Sequence, residues 1–181
     1  FDTTPLGKLL MNIFGTLAQF ERDLIIERTT EGKISASKAG NYTGGSIPLG
    51  YKAIEKKIVI DREEAQIVRD IFYWFVEEDH SSLEIARTLT KRKVLTNRDK
   101  NFGGKYRKTN PIATWNETSI RRRLQDEHYI GKYYYNKRDA SGKLKPEVDW
   151  VEMICPQIID DETFRKTQEK IEANKNKANN K

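Results

Sequence analysis

Cys155 is the only cysteine in the sequence. That excludes an internal disulfide, and with only His80 and His128 to add, too few ligands remain for a structural zinc site, so no metal is expected. A reducing cytoplasm is the compartment that fits. There is no run of 18 apolar residues, so no membrane span is expected. There is also no basic, apolar, small-residue signal at the start, where "FDTTPLGKLL" reads as a chain cut in mid-sequence rather than a natural beginning. Equally missing are a Ser-His-Asp grouping, a phosphate-cradling glycine loop followed by Lys-Ser/Thr, and a cluster of metal-binding side chains. No cofactor is expected, and an enzymatic role has to be argued from something other than a catalytic motif.

What is present is charge. The 181 residues are 33% charged and 36% hydrophobic, enough for a modest core in one medium domain or a small domain with an appendage. The net charge of +6 is unevenly spread: +2 over residues 1–60, −5 over 61–80, +11 over 81–145 and −2 over 146–181. A basic stretch of that size points to a polyanionic partner.

The first element is a long helix. Pro5 suits its first turn, and Leu6, Leu9, Leu10, Ile13, Phe14, Leu17, Phe20 and Leu24 recur at three-and-four spacing. With Gly40 as its stop it spans roughly 50 Å at 1.5 Å per residue. The apolar stripe fades after Arg28 while helix-forming residues continue, and Gly32, Ser35, Ala36 and Ala39 are small. Residues 40–49, "GNYTGGSIPL", read as a linker. "GYKAIEKKIVI" suits a small hairpin. Asp61 with Glu64 opens a helix reaching about Glu78. Ser81 with Glu84 forms a capping box for a shorter helix whose Leu83, Ile85, Ala86 and Leu89 face inward. Residues 96–114 are a basic loop.

"WNETSIRRRLQDEHYIGKYYYNKR" starts a helix at Asn116 or Thr118 that ends near Glu127. Two strands follow, "YIGKYYYNKR" and "VDWVEMI", joined by "DASGKLK". The last helix carries Phe164 and Ile171 inward and frays into a Lys/Asn tail. The expected fold is mainly α (α+β): a long N-terminal helix over 1–39, a linker over 40–49, a compact helical domain with small β-hairpins over 50–173 and a disordered tail over 174–181.

The helices at 82–91 and 117–127 pair inward Leu/Ile with outward Arg/Lys, the pattern of a helix-turn-helix-like pair whose second helix enters a major groove. The loop between them is much longer than a standard turn. Arg121, Arg122 and Arg123 read either as a solvated helix face or as phosphate contacts, and grouping with Lys91, Arg92, Lys93, Lys105, Arg107 and Lys108 favours phosphate. Thr118 and Ser119 at the helix start and Lys137 and Arg138 after the tyrosines join that candidate surface. Tyr133, Tyr134 and Tyr135 suit base stacking, but strand aromatics more often serve packing.

Set end to end, these segments resemble a known family. "GKLLMNIFGTLAQFERDLIIERTTEGKISASKAG" resembles the long helix that ends the catalytic domain of resolvase/invertase-type serine recombinases. "GGSIPLGY", "EEAQIVRDIFYWF", "SSLEIARTL", "TWNETSIRRRLQDEHYIGKYYYNKR" and "PQIIDDETFRKTQ" resemble, in order, the recombinase domain of large serine integrases and transposases. The resemblance implies a parent enzyme whose N-terminal serine attacks the phosphodiester to form a phosphoserine link, with four subunits exchanging strands without metal or nucleotide. That serine is expected upstream of Phe1, which leaves this portion inactive alone. The family's cysteine-rich zinc ribbon is expected beyond Lys181.

Glu21, Arg22, Glu27 and Arg28 match the two "ER" pairs and are implied to support the active site or lie on the DNA backbone. An intrahelical ion-pair lattice with Asp23, Glu27 and Glu31 is the competing reading of the same spacing. Double-stranded DNA is the implied partner, with self-association through the long helix into dimers and a synaptic tetramer. Arg28, Lys33 and Lys38 are expected on flanking phosphates, with Tyr42 also on DNA and Gly44 and Gly45 carrying the chain across the minor groove. Two alternatives stand beside this: a helix-turn-helix regulator with no enzymatic parent, and a protein-assembly segment built on helix 6–26.

Overall fold

The computed structural model of the chain describes residues 4–44, 47–96, 114–139 and 141–179. Two compact units emerge, one from residues 1–43 with 134–152 and the other from 44–133 with 153–181. Residues 134–152 group with the long helix in this division, which is drawn differently from the expected boundaries at 39 and 49.

In the first unit, α1 runs from Pro5 to Lys38, 34 residues. Its start follows from Thr4, whose hydroxyl accepts a hydrogen bond from the Gly7 amide at 3.1 Å, and from proline at the position where a missing amide costs nothing. Its end follows from Gly40, which takes φ 73° while its amide donates to Ser37 and the Asn41 amide donates to Ala36. The stripe from Leu6 to Phe20 lies open, with Phe14 64% and Leu10 46% exposed. The same spacing continues through Leu24, Glu27, Arg28, Glu31, Ser35 and Lys38, so the face turns ionic rather than stopping. Ser37 is the one buried residue of the helix, its hydroxyl 3.3 Å from that of Thr43.

Residues 134–152 fold on themselves. The Asp139 carboxylate accepts from the amides of Ser141 and Lys143 at 2.9 and 3.0 Å, which builds the turn, and Arg138 bridges to Leu144.

The second unit is helical. β1 (Tyr51–Ile54) and β2 (Lys57–Ile60) form an antiparallel hairpin that leads into α2 (Arg62–Val76), α3 (Ser82–Lys91), α4 (Glu117–Leu124) and α5 (Asp161–Asn179). β3 (Lys132–Tyr135) and β4 (Val151–Ile154), whose residues 134–135 and 151–152 belong to the first unit, make a second two-stranded sheet. Each helix start is written in a side chain. Asp61 accepts from the Glu64 amide, Ser81 and Glu84 cap each other reciprocally, Asn116 accepts from the Ser119 amide at 2.8 Å, and Asp160 from the Thr163 amide at 2.8 Å.

The core of this unit collects Val68, Ile71, Phe72 and Phe75 of α2, Ile85, Ala86 and Leu89 of α3, and Ile120 and Leu124 of α4 around Tyr129. The Tyr129 ring meets Phe72 edge-on at 5.9 Å and stacks on Tyr51 at 6.1 Å. Such aromatic pairs add about 0.5–1.5 kcal/mol each beyond the area they bury. Gly50 is required at φ 95°, because a Cβ there would sit 2.7 Å from the Ile158 side chain.

Three sequence expectations are corrected. Leu83 is 42% exposed and Ser82 is buried in its place, because 82, 85, 86 and 89 share one helical face and 83 lies about 100° from it. α4 ends at Leu124 rather than Glu127, since Asp126 accepts from the His128 amide and starts a separate 3-10 turn over Glu127–Ile130. The segment from 174, expected to be a disordered tail, is helical through Asn179. No helix among the described residues is long and apolar enough to cross a membrane.

Candidate nucleic-acid interface

α3 and α4 pack against each other, and Trp115 fixes the pairing. Its amide donates to the Thr90 hydroxyl at 3.0 Å, and its indole N–H donates to the Val94 carbonyl at 2.8 Å. The long connection between the two helices therefore starts and finishes at one place on α3. The two helices expected as a pair do pack together, and Trp115 ties the residues that precede the second to the end of the first. Lys105, Arg107 and Lys108, the basic residues expected from that excursion, lie outside the described residues, as does Gly45.

With Ile120 and Leu124 buried, α4 leaves Thr118, Arg121 and Arg122 exposed, and Gln125 at its C-cap continues the i, i+3, i+4, i+7 spacing and is exposed too. Gln125 was missed by reading charge alone, although the spacing places it there. Arg121 makes an i,i+4 ion pair with Glu117 at 3.1 Å, with its side chain 65% exposed. Exposed pairs of this kind are weak, about 0.3–0.5 kcal/mol, so a phosphate can displace the carboxylate.

Arg123 is different. Its guanidinium lies 4.5 Å over the Trp115 ring, its Nη1 donates to the Ser119 carbonyl at 2.7 Å, and its Nε is buried without a partner among the described residues. Burial lowers its pKa from the ordinary arginine value, chiefly by desolvation. The three arginines divide into two on the surface and one in the frame. Ser119 is committed as well, closing the capping box with Asn116 and donating its hydroxyl to the Asn116 carbonyl.

Around α3, Lys91 is exposed and Lys93 takes φ 55° past the helix end. Arg92 is also exposed but lies 4.7 Å over the Trp74 ring, which holds its guanidinium in one orientation. In the first unit, the Lys137 ammonium sits over Tyr134 and Trp150 at 5.6 and 4.5 Å, and the Arg138 Nη1 donates to the Gly142 carbonyl at 2.8 Å. Both cations serve their own hairpin, and the tyrosine run contributes packing there, with Tyr134 5.7 Å from Trp150.

Along α1, Glu21, Arg22, Glu27 and Arg28 are exposed, and no ion pair joins them among the described residues, so the lattice reading of their spacing finds no support. Arg28, Lys33 and Lys38 are exposed too, and steps of five residues set them about 140° apart around the axis. Burial raises the Tyr42 phenol above its ordinary value, and Gly44 takes φ 103° in open space. Among the described residues no group of three His, Cys, Asp or Glu is placed to hold a metal.

Two family models match the sequence: Recombinase over residues 62–174, and Resolvase, N terminal domain over residues 1–42. A Bacillus subtilis (strain 168) protein that carries the name "Putative DNA recombinase" is 28% identical over 192 aligned positions, covering 98% of this chain and 37% of that protein. Serine recombinase PinR of Escherichia coli (strain K12) is 38% identical over 60 residues, 33% of this chain and 30% of the relative. The chain thus spans about a third of the length of these curated relatives. A solved structure described as an LSR-DNA complex aligns with a TM-score of 0.48 at 26% identity, covering 81% of this chain and 38% of that one.

Proposed function

This chain belongs to the large serine recombinase family, and from that membership we propose that it is the DNA-binding portion of a site-specific recombinase, holding double-stranded attachment-site DNA. The observation that carries the reading is the outward face of α4. Thr118, Arg121, Arg122 and Gln125 stand clear of the core on a helix that Trp115 locks to α3, the arrangement a major-groove reader needs. Arginine offers bidentate contact to guanine or phosphate, and glutamine the matching pair for adenine. Arg123 acts as a positioning residue, holding Trp115 and so the angle of the helix. Lys91 and Lys93 supply phosphate contacts beside it.

The ionic end of α1 fits the same reading. Its cations spread around the axis, which suits a helix flanked by two phosphate strands better than one lying on a flat surface. In the longer parent, as the resemblance implies, an upstream serine cuts and rejoins the DNA through a phosphoserine link, with Glu21, Arg22, Glu27 and Arg28 supporting that site or the adjoining backbone. The open apolar stripe of α1 is then the surface through which copies associate. A regulator with no enzymatic parent is disfavoured by the match of residues 1–42 to a resolvase domain.

Two measurements test this. Binding to duplex DNA followed against salt should give a log-log slope that flattens by about 0.9 for each phosphate no longer engaged, hence by about 1.8 in Arg121→Ala/Arg122→Ala. An unchanged slope removes α4 from the interface. For association, sedimentation of the unaltered chain should show a dimer at high concentration that Leu10→Lys/Phe14→Lys abolishes; a strict monomer before substitution discards the helix contact.

A further inference from the structure

The hairpin β1–β2 carries features that neither the helical core nor the α4 surface explains. Its register pairs Tyr51 with Ile60, Lys52 with Val59, Ala53 with Ile58 and Ile54 with Lys57. Paired residues share a face, so Tyr51, Ala53, Ile58 and Ile60 form the inner side while Lys52, Ile54, Lys57 and Val59 form the outer. The inner side is anchored firmly. The Tyr51 hydroxyl lies 2.8 Å from the carbonyl oxygens of both His128 and Pro156 and shares its one proton between them, its ring stacks on Tyr129, and the Gly50 amide donates to the Glu64 carboxylate at 2.9 Å.

The free end is different in kind. Glu55 and Lys56 make the two-residue turn at φ 49° and 61°, left-handed positions that Asn-Gly occupies at little cost and that these residues occupy under strain. Neither side chain makes a hydrogen bond or ion pair among the described residues, and both are exposed. Asparagine and glycine would close the same turn with less strain, so the choice of two charged residues here is not explained by turn geometry. On the outer face Lys52 and Lys57 are diagonal neighbours flanking Ile54, which is 50% exposed, and Lys56 stands at the tip. Three ammonium groups therefore surround one edge of a rigidly held hairpin. Glu55 stands beside them in the turn, and Lys52 forms an ion pair with Asp61 at 3.3 Å.

We propose that the β1–β2 hairpin is a second DNA-contacting element, with Lys56 at its strained tip and Lys52 and Lys57 on its outer face gripping the phosphodiester backbone. The inference rests on the DNA-binding reading above and adds a site that the basic stretch over 81–145 does not contain. The hairpin follows the 40–49 linker directly, so the chain that leaves α1 passes through this clamp before the helical core begins. Lysine rather than arginine suits a sequence-independent role, a compact charge against phosphate rather than a planar fork against a base.

The experiment uses the full 181-residue chain and a mixed-sequence duplex, since the phosphate contribution is independent of sequence. Lys56→Gln removes the charge and keeps the strain, Lys56→Gly removes both, and Lys56→Arg keeps both. The expected result is a salt slope flattened by about 0.9 in the Gln and Gly variants and restored in the Arg variant. The melting temperature should rise, by about 2 °C, only in Lys56→Gly. Opposite effects of Lys56→Gly on stability and binding are what a purely structural tip cannot produce. An unchanged slope in both the Gln and Gly variants, with the unaltered chain still binding, overturns the hairpin site and leaves α4 standing. Failure of the unaltered chain to bind any duplex overturns the DNA-binding reading itself.

Discussion

Arg121, Arg122 and Arg123 are adjacent and chemically identical, yet successive 100° steps around α4 give them different work. Arg122 projects on the side away from Ile120 and Leu124, Arg121 lies exposed on one flank, and Arg123 reaches the other flank, where Trp115 sits, and stacks on it. A guanidinium on an indole gains more as it is desolvated, and Arg123 is the desolvated one. Arg123→Ala should therefore cost about 1–2 kcal/mol of stability, by removal of the cation–π interaction and the bond to Ser119, while leaving the salt slope of DNA binding nearly unchanged. Urea unfolding together with the salt titration measures both; a slope reduced as much as in Arg121→Ala would return Arg123 to the phosphates. Charge counting could not separate the three, because the run "RRR" is silent about which arginine has an aromatic neighbour. Trp115 before the cap was the only hint.

At the scale of elements, what was legible was local. Pro5, Asp61 and the Ser81/Glu84 box each marked a helix start that the structure reproduces, and of the two starts read at Asn116 and Thr118 the structure takes Asn116, because a cap is a short-range exchange between a side chain and an amide three residues on. The inward set of α3 was read one position out at Leu83, since a hydrophobic residue outside the core stripe looks the same in sequence as one inside it. The grouping of residues 134–152 with α1 was not legible at all, for it depends on contacts between distant parts of the chain. α1 itself offers a sharper test of its two ends. Gly15 and Gly32 both lie in the helix, and a Cβ at either would have nothing within 4 Å, so alanine at either should stabilise by about 0.5–1 kcal/mol. If the second half of the helix lies close against DNA, Gly32→Ala should weaken binding while Gly15→Ala leaves it intact. Equal affinities for the two variants would show that the backbone near Gly32 does not approach DNA closely.

For the whole molecule, charge is arranged by two separate logics. In the DNA-binding reading proposed above, basic residues on the outside serve the partner, while carboxylates at helix starts serve the fold. Asp61, Glu84 and Asp160 are each held below the usual carboxylate range, first of all by a backbone amide: that of Glu64, Ser81 and Thr163 respectively. A carboxylate depressed in the folded state adds stability that is complete above its unfolded value, near 4, and is lost as pH falls through the folded value. At the alkaline end, burial pushes the phenols of Tyr51 and Tyr129 up, so their contribution is complete below about 10 and is lost as pH rises beyond it. The folded chain should thus hold a stability plateau from about pH 5 to 9, falling on both sides. Asn at position 160 can still cap α5 but cannot titrate, so Asp160→Asn should flatten the acid limb with little change on the plateau. Urea midpoints across pH measure this, and an acid limb of undiminished steepness in that variant would place the acid sensitivity of the fold elsewhere than at its helix caps.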